Sequence, residues 1–476
     1  MARQVTTDIC VIGGGSGGLS VAAGASQMGA KTVLVEGGKM GGDCLNYGCV
    51  PSKALIAAAK KAASLNDAAD FGISGPLPKV DFPKVMDHVQ DVIASIAPHD
   101  SVERFEGLGV EVLKGYGRFI SEFELEVGDV HVKARRFVIA TGSRATAPPI
   151  PGLEEAGYLT NETIFENRIR PDHLIIIGGG PIGLEMAQAH ARLGSKVTVL
   201  EAFKAFGRDD PELSEIVLAE LRRDGIDIRE GVKITDIAKD ERDIYHVSLG
   251  EGDRAEKLSG SHLLVAAGRK ANVENLNLEA AGVEYSPKGI TVDAKLRSSN
   301  RKIYAIGDVA GGYQFTHVAN YHAGIVIRNA LFRLPAKVDY SAVPWVTFTD
   351  PELANVGLTE AAAREQYGDK TRVLTFPFAV VDRARTERQT NGMIKAITTN
   401  KGQILGAGIV GAHAGELIHP WGLAITGKLK IGTMASFIAP YPTYGEISKR
   451  VAGSYYTPSL FSPRTRAIVK FLSFFG

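Results

Sequence analysis

The chain has 476 residues, 45% of them hydrophobic, and a formal net charge of +1. That length calls for two to four domains with ample core, and the near-neutral balance argues against nucleic acid or any strongly charged partner. Three cysteines exclude a disulfide scaffold. The polar N-terminus has neither a signal-peptide pattern nor a bilayer-length apolar run, so a cytoplasmic, reducing setting is expected.

The first element in the chain is Asp8-Ile-Cys10-Val-Ile-Gly13, a short apolar run that reads as a buried strand. It feeds Gly13-Gly-Gly15-Ser16-Gly17-Gly18 and a small-residue helix ending near Gly29, and Lys31–Glu36 reads as the next strand. This is a G-x-G-x-x-G turn in strand–turn–helix context, closed by an acidic residue, which is the pattern of a dinucleotide site. The glycines let the backbone approach a pyrophosphate at a helix N-terminus, and Glu36 can accept hydrogen bonds from ribose hydroxyls. Cys10 lies within the strand and reads as a small buried hydrophobe.

The next stretch is Lys39-Met-Gly-Gly42-Asp43-Cys44-Leu-Asn-Tyr-Gly-Cys49-Val-Pro51-Ser-Lys53. Pro51 suits the first turn of the alanine-rich helix that follows. Cys49 then stands just before a helix N-terminus, where the dipole favours a thiolate. In a regular helix, residues five apart are separated by about 8–9 Å, whereas a disulfide needs roughly 4.4–6.8 Å between Cα atoms. The spacing alone therefore leaves two readings: unrelated buried thiols, or a bridge over a tightened turn at Asn46 and Gly48.

Asp81 to Phe105 is amphipathic and reads as helical, and Val110 to Val132 reads as short strands. The Pro148–Gly152 run is a linker. The glycine pattern then returns as Ile176-Ile-Gly178-Gly-Gly180-Pro181-Ile-Gly183-Leu-Glu185, followed by Lys196–Glu201. Gly13 corresponds to Gly178 and Glu36 to Glu201 at one common offset. Two copies at identical spacing, each closed by glutamate, imply two dinucleotide sites. Glu201 favours NAD over NADP, because its carboxylate would repel a 2′-phosphate.

The stretch from Gly41 to Leu55 resembles the redox-active segment of the class I pyridine nucleotide-disulfide oxidoreductases. That family includes dihydrolipoamide dehydrogenase, glutathione reductase and mercuric reductase. The resemblance implies an α/β fold: two Rossmann-like dinucleotide-binding domains plus an α+β C-terminal dimerisation domain. It places FAD binding in residues 1–150 and 271–337, NAD binding in 151–270 and the dimer interface in 338–476. It implies that Cys44 and Cys49 form a redox disulfide, with Cys49 beside the flavin and Cys44 exchanging with substrate. Lys53 and Glu185 would be the ion pair near the flavin. Gly42, Asp43, Gly115, Ala140-Thr141-Gly142 and Gly307-Asp308 would line the FAD site. Gly178, Gly180, Pro181, Gly183, Glu201, Gly268 and Arg269 would line the NAD site. No resident metal is expected.

Two positions depart from the family pattern. Asp43 stands where a threonine usually touches the FAD pyrophosphate, and a carboxylate there repels phosphate unless it is turned away or screened. In the tail, Tyr441-Pro442-Thr443-Tyr444-Gly445-Glu446 carries Tyr441 in place of the acid–base histidine, with Glu446 in the place of its orienting partner. Mercuric reductases also carry tyrosine here, but this chain has no cysteine after Cys49. The expected activity is an atypical, dihydrolipoamide-dehydrogenase-like NAD(H):disulfide or dithiol oxidoreductase. The alternative is an NADH-dependent reductase of metal ions or small acceptors such as quinones. A homodimer is expected, with each active site completed by the partner's tail. The basic, apolar terminus Ser462–Gly476 is a candidate for weak membrane-surface contact.

Overall fold

The apolar run at Asp8 lies within a longer strand, Arg3–Ile12, in which Ile9, Cys10, Val11 and Ile12 are all buried. Burial on both faces explains its unbroken hydrophobicity, as parallel strands require. It is flanked in parallel by Thr32–Glu36 and Val130–Ile139. Val110–Lys114 extends the sheet on one side. Glu124–Val127 and Gly117–Ser121 turn back antiparallel on the other, and Ile303–Ala305 joins Val130–Ile139. The helix Ser16–Gln27 follows the first strand. The repeated copy builds a second parallel sheet from His173–Ile177, Lys196–Glu201 and His262–Val265, with Pro181–Arg192 as its helix. This is the doubly wound α/β arrangement, made twice.

The structure is a computed structural model that describes residues 3–75, 79–250 and 255–475. It divides into two compact units, Met1–Phe203 with Ile228–Val338, and Lys204–Asp227 with Asp339–Gly476. Both glycine turns and both cysteines of the C-x4-C pair lie in the first unit.

The amphipathic stretch after Asp81 is broken rather than continuous. A helix spans Phe82–Ile96, a short 3-10 turn spans Ala97–Asp100, and a second helix spans Val102–Gly107. Pro98 cannot continue the first helix, and the Ser101 hydroxyl starts the second by accepting from Arg104 N at 3.2 Å.

In the second unit an antiparallel sheet runs Pro344–Thr347, Glu352–Gly357, Ile404–Gly411, Met393–Thr399, Thr371–Pro377. Its core holds Phe378, Ile409 and Trp421, all fully buried. The helix Pro211–Arg223 packs on this sheet, with Leu213 so near Gly408 that a Cβ there would come within 2.4 Å of it. Lys395, almost wholly buried, holds the start of that helix. Its Nζ lies 2.9 Å from Asp210, 2.7 Å from Glu212 and 3.1 Å from Glu360. Removing this cation leaves the buried Asp210 carboxylate unpaired. Lys395→Ala is therefore expected to cost about 3–5 kcal/mol, read as a lower denaturant midpoint. An unchanged midpoint would show that water replaces the ammonium.

Beyond the sheet, the helix Pro463–Leu472 has no buried residue, and Ile468, Val469, Phe471, Leu472, Phe474 and Phe475 are exposed. Gly476 lies outside the described residues. Among the described residues, no helix is long and apolar enough to cross a membrane.

Candidate active site

The two glycine turns have the same geometry. Gly13 and Gly178 have φ of 111° and 115°. A Cβ on Gly18 would lie 1.9 Å from the Gly13 carbonyl oxygen, and one on Gly183 would lie 2.0 Å from that of Gly178. Only glycine permits this approach. In each copy the closing glutamate accepts from the turn and from the residue two positions beyond itself. Glu36 accepts from Gly14 N and Gly38 N, each at 2.5 Å. Glu201 accepts from Gly179 N at 2.7 Å and Phe203 N at 2.8 Å.

The helices that follow, Ser16–Gln27 and Pro181–Arg192, begin at Gly15 and Gly180, with no side-chain cap and no acidic residue in the first turn. No acidic residue of their own first turns faces the terminal amides, as suits a phosphate site. Gly17 packs against Ala319, and a Cβ there would come 3.1 Å from the alanine methyl. On this test the residues present fit a dinucleotide at both turns.

The cysteine segment lies on the first turn. Gly41 N donates to Gly14 O at 2.9 Å, and a Cβ on Gly42 would come 2.6 Å from Gly15 Cα. Cys44 sits in the short helix Gly42–Asn46. Cys49 opens the helix Cys49–Asn66, so that helix starts two residues before the expected Pro51. Tyr47 and Gly48 break the path between the two helices, and the Asn46 amide holds the break by donating to Met40 O and Gly42 O.

Both cysteines are free thiols, with Cys44 half-buried and Cys49 exposed. They hydrogen-bond one another, and this contact separates their acidities. Cys49 is lowered to about 6, first by the Cys44 hydrogen bond and then with help from Thr316 and Lys53. Cys44 is pushed up, first by the same contact and then by burial. Thr316 Oγ1, at the start of the helix Thr316–Ala330, lies 3.5 Å from Cys49 Sγ. Lys53 Nζ donates to the buried Glu185 carboxylate at 2.8 Å.

The remaining expected site residues of this unit form two further groups. Gly115 N donates to Glu36 O at 2.9 Å, and Ala140 N donates to Ile12 O at 2.8 Å. Thr141 and Gly142 are pinned to Asn272, whose carbonyl accepts from the Thr141 hydroxyl at 2.7 Å and whose amide donates to Gly142 O at 2.9 Å. Gly307 N donates to Nδ1 of buried His322 at 3.1 Å, and burial lowers that imidazole to about 4. Asp308 accepts from Ser143 Oγ at 2.5 Å, and burial pushes its carboxyl up. Arg269 follows Gly268 on the strand Arg269–Ala271 and donates to Ser143 Oγ and to Ser143 O. Asp43 points at Asn161 and Arg269.

In the second unit Tyr441 is exposed, and its hydroxyl donates to Asp382 Oδ2 at 3.0 Å. Glu446, expected as its partner, instead lies 3.7 Å from Arg450. Glu446 opens the helix Glu446–Ser454, so its side chain meets the residue one turn on. Sequence reasoning overlooked Thr316, Asn161, Ser143, Asn272, His322 and Asp382. All but His322, which is 15 residues from Gly307, are remote in the chain from the residue they touch, and none belongs to a recognisable spacing.

Comparison with known proteins agrees with this fold. The pyridine nucleotide-disulphide oxidoreductase family matches residues 7–323, and the dimerisation domain of the same family matches 343–452. A mercuric reductase of Bacillus cereus is 37% identical over 92% of this chain and 70% of its own length. A dihydrolipoyl dehydrogenase of Chlamydia muridarum is 35% identical over 96% of this chain and 99% of its own. Among solved structures, the Cu(II) complex of the HOCl-induced flavoprotein disulfide reductase RclA from Escherichia coli superposes with a TM-score of 0.84. It is 28% identical and covers 95% of this chain and 100% of its own.

Proposed function

Because this chain belongs to the pyridine nucleotide-disulphide oxidoreductase family, and is therefore an FAD-dependent NAD(P)H oxidoreductase carrying that family's dimerisation domain, we propose that it moves electrons between NADH and a disulfide through Cys44 and Cys49. The observation that carries this reading is the thiol pair itself, laid on the first glycine turn with one thiol acidified and the other not. FAD, when bound, passes electron pairs between the nicotinamide and the cysteines. The first glycine turn, Glu36 and Asp308 would hold it, and the second turn and Glu201 would hold the nicotinamide dinucleotide. Lys53, fixed by Glu185, places a positive charge beside Cys49 and favours its thiolate.

The reduced pair then acts on substrate in two exchanges. Cys44 sulfur attacks one sulfur of the substrate disulfide as its proton leaves. The S–S bond breaks, and the departing thiolate takes a proton. Cys49 thiolate next attacks the Cys44 sulfur of this mixed disulfide. The second substrate thiol is released and the Cys44–Cys49 disulfide closes, so two electrons have left the enzyme. Tyr441 supplies the proton for the first departing thiolate and regains one from the proton that Cys44 gives up; the second substrate sulfur leaves as a thiolate and takes its proton from water. The tail that carries Tyr441 completes the site of the second subunit in the homodimer. The acceptor is a small-molecule or protein-bound disulfide.

Glu201 sets the nucleotide preference. Its carboxylate is held rigidly by two backbone amides, and a 2′-phosphate would meet its charge. The holoprotein is expected to bind one FAD per subunit and to favour NADH over NADPH by at least about tenfold in kcat/KM. Glu201→Ala should narrow that gap. Equal efficiency of the wild type with both nucleotides would count against the assignment.

A second reading, reduction of metal ions, is favoured by Tyr441. A phenol held by Asp382 is a weak base for dithiol chemistry but can ligate or hydrogen-bond a small acceptor. The mercuric reductase relatives and the copper-bound RclA structure point the same way. Stopped-flow reduction by NADH, followed by a panel of lipoamide, glutathione disulfide, Hg(II), Cu(II) and quinone, separates the two. Turnover of disulfides supports the first reading; turnover of metal salts alone replaces it with the second.

A further inference from the structure

The residue just before Cys44 is a carboxylate with two anchors. Asp43 Oδ1 accepts from Asn161 Nδ2 at 3.1 Å and lies 3.2 Å from the Arg269 guanidinium. Its other oxygen leans over the turn, since a Cβ on Gly48 would come 3.0 Å from Asp43 Oδ2. Asn161 is buried and also donates to Tyr47 O at 3.3 Å. One side-chain amide thus ties the start of the cysteine turn to its middle. Arg269 is largely buried and bonds Ser143 at 2.8 Å and 2.9 Å, and Ser143 in turn bonds Asp308. A continuous polar chain therefore runs from the neighbour of Cys44 to the carboxylate that Gly307 introduces.

We propose that Asp43 is a positioning residue of the Cys44–Cys49 pair: anchored by Asn161 and Arg269, it holds the turn between the two thiols and sets a fixed negative charge beside them. This deepens the disulfide reading above and rests on it. It also accounts for a carboxylate in a phosphate-binding neighbourhood. The charge is turned toward Arg269, which offsets part of it, so it need not face a phosphate. A threonine at this position could bond the same amide but would leave Arg269, among the described residues, with Asp308 at 4.0 Å as its facing carboxylate. The direction of the charge effect follows from Coulomb's law: an anion beside a thiol disfavours its ionisation. Once the dominant mutual hydrogen bond of the thiols is counted, Asp43 adds an upward push to both.

The test uses the dithiothreitol-reduced holoenzyme and two readouts. The first is the pH midpoint for alkylation of the cysteines by iodoacetamide, a quantity that a purely structural role would not move. Asp43→Asn keeps the shape and an acceptor oxygen but removes the charge, and should lower that midpoint by about 0.5–1 pH unit. Asn161→Ala keeps the charge but cuts the tie across the turn. It should leave the midpoint in place while lowering kcat for disulfide reduction about tenfold, with KM for NADH unchanged. A wild-type midpoint in Asp43→Asn, or wild-type kcat in Asn161→Ala, overturns the proposal. If the wild type reduces no disulfide at all, the functional reading fails instead. The alkylation midpoint needs only the two thiols and still decides the role of Asp43.

Discussion

Cys44→Ser holoprotein should lose disulfide turnover by at least about a thousandfold, as loss of an essential nucleophile does, while NADH still reduces its flavin at the wild-type rate. The expectation follows from the division of labour between the thiols. In the proposed division Cys44 meets substrate and Cys49 faces the flavin, and Cys10 is fully buried in the first strand and cannot replace either. The Cys49 thiolate should survive the substitution. A serine hydroxyl can donate the hydrogen bond that Cys44 donated, and Thr316 and Lys53 still favour the anion. With a pKa lowered to about 6, Cys49 is mostly thiolate at and above neutral pH. The oxidised variant should therefore show a long-wavelength absorption band without any reductant, and the band should fade as pH drops through about 6. Plain oxidised-flavin absorption at pH 7.5 would mean that Cys49 is not the flavin-side thiol.

Tyr441→His should gain dihydrolipoamide oxidation near neutral pH by about 100-fold, at the lower end of the range of general base catalysis. The wild-type phenol is a poor base for two reasons. Its ordinary pKa is about 10. The Asp382 hydrogen bond, and then the Asp382 charge, raise it further, because a carboxylate disfavours phenolate. Wild-type dithiol oxidation should therefore rise steadily with pH, as the substrate ionises by itself. In the variant, an imidazole beside Asp382 has its charged form favoured, so its optimum should move toward neutrality. Disulfide reduction in the wild type should show the opposite trend, because Tyr441 remains a proton donor across the neutral range. Asp382→Asn should relax the phenol and move the wild-type pH profile down, whereas Glu446→Gln should move it less. A wild type that already oxidises dihydrolipoamide fast at pH 7, with a histidine variant no faster, would show that the tyrosine carries no proton.

How much of this was legible in the chain can be judged residue by residue. The two glycine turns, their following helices and the closing Glu36 and Glu201 were readable because each depends on residues within about two dozen positions. Positive φ and backbone contact at Gly13 and Gly178 admit no side chain, so the sequence must declare them. The pairing of Cys44 with Cys49 was not decided by their spacing, which left unrelated thiols and a bridge both open, but was implied by the family resemblance of Gly41 to Leu55. The start of the helix at Cys49 rather than Pro51 was a boundary error of the usual size, since helix ends depend on capping detail.

The pairing of Lys53 with Glu185 was expected from the family resemblance and is found. The other partners were not readable: Thr316 reaches Cys49, Arg269 and Asn161 reach Asp43, and Asp382 takes the Tyr441 hydroxyl that Glu446 was expected to hold. Each contact joins segments distant in the chain, and its geometry depends on how sheets and helices pack, which no local spacing encodes. The sequence by itself determined the cofactor turns, because backbone stereochemistry dictates their glycines where they stand. Only the tertiary structure decided which charges surround them, because electrostatic neighbours are chosen by distance in space and not by distance along the chain.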